Sequence, residues 1–188
     1  MQSLRHPGTS SAKLTPMRHI NLISTGGTIE KTYDERLGVL SNVRSVVPLM
    51  LRRLRLEDIT VTTLPLLSKD SNDLTDQDRS RIVDTVRVLT GSDDCSGVVI
   101  LHGTDTLCIT GELLHKSFPS PPCPIVLTGA MRPYEMKRSD ALQNFTEAIF
   151  ATGVLQPGVY VVAHSRALRF PGVVKNVDRG TFVKEHQS

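Results

Sequence analysis

Two short stretches carry reactive side chains where an apolar run stops abruptly at glycine. The first is Asn21-Leu22-Ile23-Ser24-Thr25-Gly26-Gly27-Thr28-Ile29. Leu22 and Ile23 read as the end of a buried strand, and the two glycines let the backbone turn with no Cβ in the way. Thr28 then presents a small hydroxyl at a strand end. The second stretch is Val98-Val99-Ile100-Leu101, followed at once by His102-Gly103-Thr104-Asp105-Thr106. Gly103 permits close backbone approach, and Thr104 and Asp105 stand at the start of a helical pattern whose first N–H groups are free. Ligands of open α/β sheets sit beyond the carboxyl ends of the strands, so two hydroxyls and a carboxylate there are placed to meet one. The alternative is a tight turn in which Thr28 serves only as a cap, since short glycine motifs recur without function. A third polar cluster, Ser68-Lys69-Asp70-Ser71-Asn72-Asp73, is able to hydrogen-bond an ammonium or a carboxylate, or simply to cap the helix after it.

Positioning these groups requires strands that end at them. His19 to Ser24 is the expected first strand, and Thr25 to Val39 a long polar loop carrying Lys31, Tyr33, Asp34, Glu35 and Arg36. With Gly26, Gly27 and Gly38 as hinges, that loop suits a lid. Ser45 to Leu56 reads as a helix with Pro48 in its first turn, and Ile59 to Leu64 as the second strand. Thr75-x-x-Asp78 signals a capped helix with Ile82, Val83, Val86 and Leu89 on one face. Leu107 to Phe118 is a further helix, and Pro119, Pro121, Pro122 and Pro124 stiffen the link to a short strand at Ile125 to Leu127. Ala141, Leu142, Phe145, Ala148 and Ile149 form a helical stripe, and Val159 to Val162 is the last clear strand. Strands alternating with helices imply βαβ units, hence a three-layer, doubly wound α/β fold with a mostly parallel sheet.

A chain of 188 residues, 39% apolar and 22% charged, supports one globular domain with a proper core and excludes disordered and membrane classes. No run approaches the roughly 18 apolar residues that cross a bilayer. Residues 1–18 are expected to be a flexible extension ahead of a single domain over 19–188, and the absence of an apolar segment near Met1 points to a cytoplasmic protein. Three cysteines, Cys95, Cys108 and Cys123, without C-x-x-C spacing, read as reduced thiols rather than a disulfide or zinc framework. Arg52, Arg53 and Arg55 read as a solvated face, and with no Trp to build a stacking platform, nucleic acid is not an expected partner. The histidines lack metal spacing, His102 being held by its strand end, and Arg132 ahead of Pro133 is expected to pin neighbouring carbonyls or carboxylates. No metal and no cofactor is implied.

Thr25 to Ile29 (TGGTI) together with His102 to Thr106 (HGTDT) resembles the bacterial-type L-asparaginase family. Ser68 to Asp73 is similar to its substrate-carboxylate loop, Leu127-Thr128-Gly129-Ala130-Met131-Arg132-Pro133 to its GAMRP segment, and Lys175 falls where its catalytic lysine does. Ending at Ser188, the chain resembles the short members that lack the usual C-terminal domain. The resemblance implies an N-terminal-domain-like asparaginase fold and hydrolysis of L-asparagine to L-aspartate and ammonia. It also implies roles: Thr28 as nucleophile, Tyr33 assisting removal of its proton, and Thr104, Asp105 and Lys175 as a second catalytic group. Asp105 would meet the substrate ammonium and Ser68 its carboxylate. Such chemistry needs an activated hydroxyl, donors for the oxyanion and an acid for the departing ammonia; a lysine acts as base only when its pKa falls. Glutaminase, an asparaginase-like component of an amidotransferase and a non-catalytic ligand-binding relative are the rival readings. Homodimers or homotetramers are the implied assembly.

Overall fold

Continuous apolar runs become the inner strands of one sheet. β1 (Arg18–Gly26), β5 (Cys95–Leu101), β6 (Pro124–Thr128) and β7 (Gly158–Ala163) bury almost every residue, as strands covered on both faces must. In the computed structural model, which describes residues 17–185, β4 (Ile59–Lys69) and β8 (Arg166–Arg169) flank them in the order β4-β1-β5-β6-β7-β8. Neighbours run parallel except β7 and β8. The extension expected over residues 1–18 lies outside the described residues but for its last two, and Arg18 already belongs to β1.

Period-2 alternation divides the apolar side chains between two cores. Leu22, Val99, Leu101, Val126 and Val162 face α1 (Val47–Leu51) and α4 (Ala141–Ala151), where Met50, Phe145 and Ile149 meet them. Ile23, Val98, Ile100, Leu127 and Val161 face α2 (Asp76–Thr90) and α3 (Leu107–Ser117), where Ile82, Val86 and Leu114 meet them. Each such side chain contributes roughly 1.5–3 kcal/mol by burial, far more than helix propensity does, so the sheet decides where the helices lie.

Several elements differ from the sequence reading. The first helix spans only Val47–Leu51, because Leu54 and Leu56 leave the helical path to pack on the sheet core and the cations at Arg52, Arg53 and Arg55 then stay exposed. β4 continues to Lys69, since its later residues still ladder against β1 after a bulge between Ser24 and Gly26. The supposed lid contains a hairpin, β2 (Thr32–Asp34) and β3 (Val39–Ser41). Beyond β7 the chain forms β8 and then a separate ribbon of β9 (Val173–Asn176) and β10 (Thr181–Lys184), anchored by Val173 and Phe182 in the α2–α3 core. Those strands of four residues are too short and too polar to show a period. The cysteines are free thiols, with Cys95 and Cys123 Sγ atoms facing each other at 3.9 Å near the start of β5 and β6.

The expected capping box is present at α2. Asp78 N–H donates to Thr75 Oγ1, and Thr75 N–H donates back to the Asp78 carboxylate. Lys69 Nζ donates to the same carboxylate at 2.8 Å, tying the end of β4 to the helix. These donors, Lys69 first and then the Thr75 N–H and hydroxyl, hold the Asp78 carboxyl down to about 2. A depressed carboxyl stabilises the fold above its unfolded pKa of about 4 and loses that contribution as pH falls toward the folded value. Urea denaturation of the wild type and Asp78→Asn is therefore expected to differ most near neutrality and to converge by about pH 2.

Candidate active site

The ends of β1 and β5 are drawn together by glycine. Gly26 and Gly27 take φ values of +95° and +77°, left-handed conformations that L side chains rarely adopt. The turn they make presses Gly27 onto Gly103: a Cβ on Gly27 would lie 2.4 Å from the Gly103 Cα and N. A Cβ on Gly103 would meet Ser71 Cβ and Oγ at 2.6 Å. Gly27 N–H donates to Lys69 O at 2.9 Å, and Thr25 Oγ1 donates to Leu101 O at 2.8 Å. The ends of β1, β4 and β5 thus meet at one junction, from which Thr28 and Thr104 both depart. Thr28 opens a 3-10 turn, Thr28–Glu30; Gly27 occupies its cap position, so Thr28 is not the cap.

A chain of charged groups borders this junction, a lysine at each end and two carboxylates between. Lys175, on β9, donates from Nζ to Thr104 Oγ1 at 2.8 Å and to Asp105 Oδ1 at 2.5 Å. Asn72 Nδ2 donates to Asp105 Oδ2 and to Asp70 Oδ1, each at 3.2 Å. Lys31 Nζ donates to Asp70 Oδ2 at 2.6 Å. The Lys175 ammonium holds the Asp105 carboxyl below the usual carboxylate range, against a smaller upward push from burial. Asp105 remains 52% exposed and Lys175 19%, so the pair has one face open to solvent.

Beneath the charges lies a neutral support. His102 is fully buried; its Nδ1 contacts Gly103 O at 2.8 Å and its Nε2 contacts Thr110 Oγ1 at 2.9 Å. A carbonyl only accepts, which puts the ring proton on Nδ1 and leaves Nε2 to accept from Thr110. Burial pushes the imidazole down to about 4, keeping it uncharged near neutrality. The Gly129-to-Arg132 loop packs on Thr104, since a Cβ on Gly129 would stand 3.2 Å from Thr104 Cγ2. That loop is pinned through its backbone: Asp140 accepts N–H donors from Met131 and Arg132, and also bonds His164 Nε2. Asp140, not the exposed Arg132 side chain, is the pin.

Of the residues expected at the site, Thr28, Thr104, Asp105 and Lys175 gather at or beside the junction. Ser68 sits on β4 next to it, and its Oγ donates to Asn42 O at 3.0 Å. Tyr33 is 57% exposed on β2; its N–H donates to Glu135, and its hydroxyl lies near Gly38 at the hairpin tip. Among the described residues it makes no hydrogen bond to either threonine. Ser71 and Asn72 lie in the polar cluster singled out from the sequence, and Lys31 in the loop read as a lid, but none of the three was given a role of its own. Their signal was position alone, inside or next to loops already singled out.

This sheet, with paired Gly-Thr turns at its carboxyl edge and a lysine–aspartate pair over one of them, defines an α/β protein with hydroxyls, an amine and a carboxylate gathered at one strand end. The chain belongs to the asparaginase family: the family model described as "Asparaginase, N-terminal" matches residues 19–182. It is 35% identical over 141 residues to an L-asparaginase of Thermococcus kodakarensis, covering 74% of this chain and 42% of that protein. It is 33% identical over 136 residues to one of the glutamyl-tRNA(Gln) amidotransferase subunits of Thermoplasma acidophilum, covering 72% and 33%. Among solved structures, the thermostable T. kodakarensis L-asparaginase superposes with a TM-score of 0.76 at 31% identity, over 88% of this chain and 51% of that one. A probable cytoplasmic L-asparaginase from Campylobacter jejuni gives 0.71 at 28% identity, over 89% and 51%. The chain spans less than half the length of these curated relatives and about half that of the solved ones. Among the described residues no helix is long and apolar enough to cross a membrane.

Two outcomes follow from the geometry. Gly27→Ala combines overpacking, worth roughly 1–3 kcal/mol, with a left-handed backbone penalty of about 1–2 kcal/mol. Gly180→Ala, with no described atom within 4 Å of its Cβ position, incurs the backbone part alone, and chemical denaturation is expected to rank the two accordingly. Lys175→Met is expected to return the Asp105 carboxyl toward the ordinary range, read by NMR titration of its side-chain carbon.

Proposed function

We propose that the protein hydrolyses L-asparagine to L-aspartate and ammonia, with Thr28 as nucleophile. The observation that carries this reading is the backbone contact between Gly27 and Gly103, which brings the threonines that follow them to one junction beside Lys175 and Asp105. Thr28 attacks the amide carbon as its proton is relayed through the Tyr33 hydroxyl to solvent water. Backbone N–H groups at the entry to α3 receive the developing oxyanion. Thr104 and Lys175, already in contact, carry a proton to the departing ammonia, and water then cleaves the ester on Thr28. Asp105 has a solvent-facing carboxylate for the substrate ammonium. Tyr33 serves Thr28 from the β2–β3 hairpin, which has to close over the amide to bring the phenol in.

The neutral His102 takes no proton in this scheme; it fixes the strand end that carries Gly103 and Thr104. The proposed setting is cytoplasmic, with no cofactor, and the proposed assembly is a homodimer or homotetramer, which light scattering tests. A second reading is favoured by the similarity to the T. acidophilum amidotransferase component, at an identity close to that of the asparaginases. In it the same site releases ammonia within a larger complex.

Ammonia release from asparagine and from glutamine by the purified protein separates these readings. Asparagine turnover by the protein alone is expected, and none with either amide refutes the assignment. Thr28→Ala and Thr104→Val are each expected to lower turnover by about 10²–10⁴-fold with the thermal midpoint little changed, because each removes a reacting or proton-relaying hydroxyl. Wild-type turnover in either variant removes that threonine from the mechanism.

A further inference from the structure

We propose that Cys95 and Cys123 form a peroxide-responsive thiol pair, in which Cys95 is the sulfur oxidised and Cys123 the sulfur that closes it into a disulfide joining β5 to β6. The pair lies where those parallel strands begin, at the opposite end of β5 from Thr104. The two Sγ atoms stand 3.9 Å apart, in contact, although the residues are 28 positions apart in sequence. The β5–β6 ladder starts at Val98 and Ile125, so no hydrogen bond between the two strands has to break for the sulfurs to close.

The two thiols are unequal. Cys95 is partly exposed, whereas Cys123 keeps only 5% of its surface in solvent. A hydrogen bond from the Cys123 thiol holds the Cys95 thiol down to about 6, against a smaller upward push from burial, and Asn21 Nδ2 adds a donor at 3.4 Å. The same contact, with burial, pushes Cys123 up. A thiolate reduces a peroxide and a thiol does not, so the accessible sulfur reacts first and its shielded partner stands beside the product. Cys108 supplies the contrast. On α3, burial and then the nearby Glu112 carboxylate push its thiol up to about 11, which leaves it inert under the same oxidant.

The chemistry balances with hydrogen peroxide as the oxidant. The Cys95 thiolate attacks one peroxide oxygen; an S–O bond forms, the O–O bond breaks, and hydroxide leaves to be protonated by solvent, giving a sulfenic acid. Cys123 sulfur then attacks Cys95 sulfur; the S–S bond forms, the S–O bond breaks, and the Cys123 proton departs with the hydroxide as water. Two cysteines lose two electrons and the peroxide becomes two waters. The loop so closed, 95–123, contains Gly103, Thr104, Asp105 and all of α3, so oxidation restricts the unfolded chain and raises the thermal midpoint.

The experiment treats the reduced chain with hydrogen peroxide, counts free thiols with a chromogenic disulfide reagent and maps links by peptide mass spectrometry without reduction. The count is expected to fall from three to one in monomeric protein, with Cys95 joined to Cys123 and Cys108 free, and dithiothreitol should restore it. In Cys123→Ser the sulfenic acid persists at Cys95 and is trapped by dimedone, and in Cys95→Ser both remaining thiols survive the same dose. A link through Cys108, a link between chains, dimedone on Cys108 ahead of Cys95, or three thiols surviving a dose that oxidises glutathione overturns the assignment. The count and the map use the wild type, so they decide the matter even where a serine variant fails to fold.

Discussion

The approach of Gly27 to Gly103 is the contact on which the site depends. Two parallel strands ordinarily end a strand spacing apart, with side chains between their exit loops. Here neither loop carries a Cβ at the point of contact, so the backbones touch and the residues after them start from one place. Ser71 closes the junction from the β4 side, and the Gly27–Lys69 hydrogen bond fixes the turn. The surrounding sheet serves this meeting: its two apolar faces hold β1 and β5 rigidly enough for a contact between bare backbones to persist.

Around that rigid point the charges are arranged in sequence and balanced. Lys31 and Lys175 stand at the two ends, with Asp70 and Asp105 between them, and the Asn72 amide joins the two carboxylates. Such an arrangement is partly wet, so its value lies in geometry more than in stability. Directly beneath, burial strips His102 of charge and turns it into a brace between Gly103 and Thr110. Polar chemistry is therefore kept at the rim and neutrality below it.

The sheet was legible because its inner strands are uninterrupted apolar runs ending at glycine, and α2 because Thr75 and Asp78 form a true capping box. Tertiary packing overrode pattern elsewhere. The helix expected from Ser45 to Leu56 stops at Leu51 because Leu54 and Leu56 serve the core better off the helix. β8, β9 and β10 were invisible because four-residue strands carry no readable period. At the site, the threonines and Asp105 announce themselves by spacing, whereas Lys175 lies 70 residues from Asp105 and reads as a surface lysine without the family resemblance. The partners of Asn72 and Lys31 were not legible because a bridge between two loops is a property of their meeting and not of either sequence.

The β9–β10 ribbon forms its own two-stranded sheet, separate from the six-stranded one. The hydroxyls are thus built into the frame of the molecule, while the amine arrives on an attachment clipped on by Val173 and Phe182. The residue at position 175 is set by the β9–β10 ladder and not by the ladder of the main sheet. Variation on this scaffold is accordingly modular: a different side chain can be tried at the ribbon while the turn that carries Thr28 stays untouched.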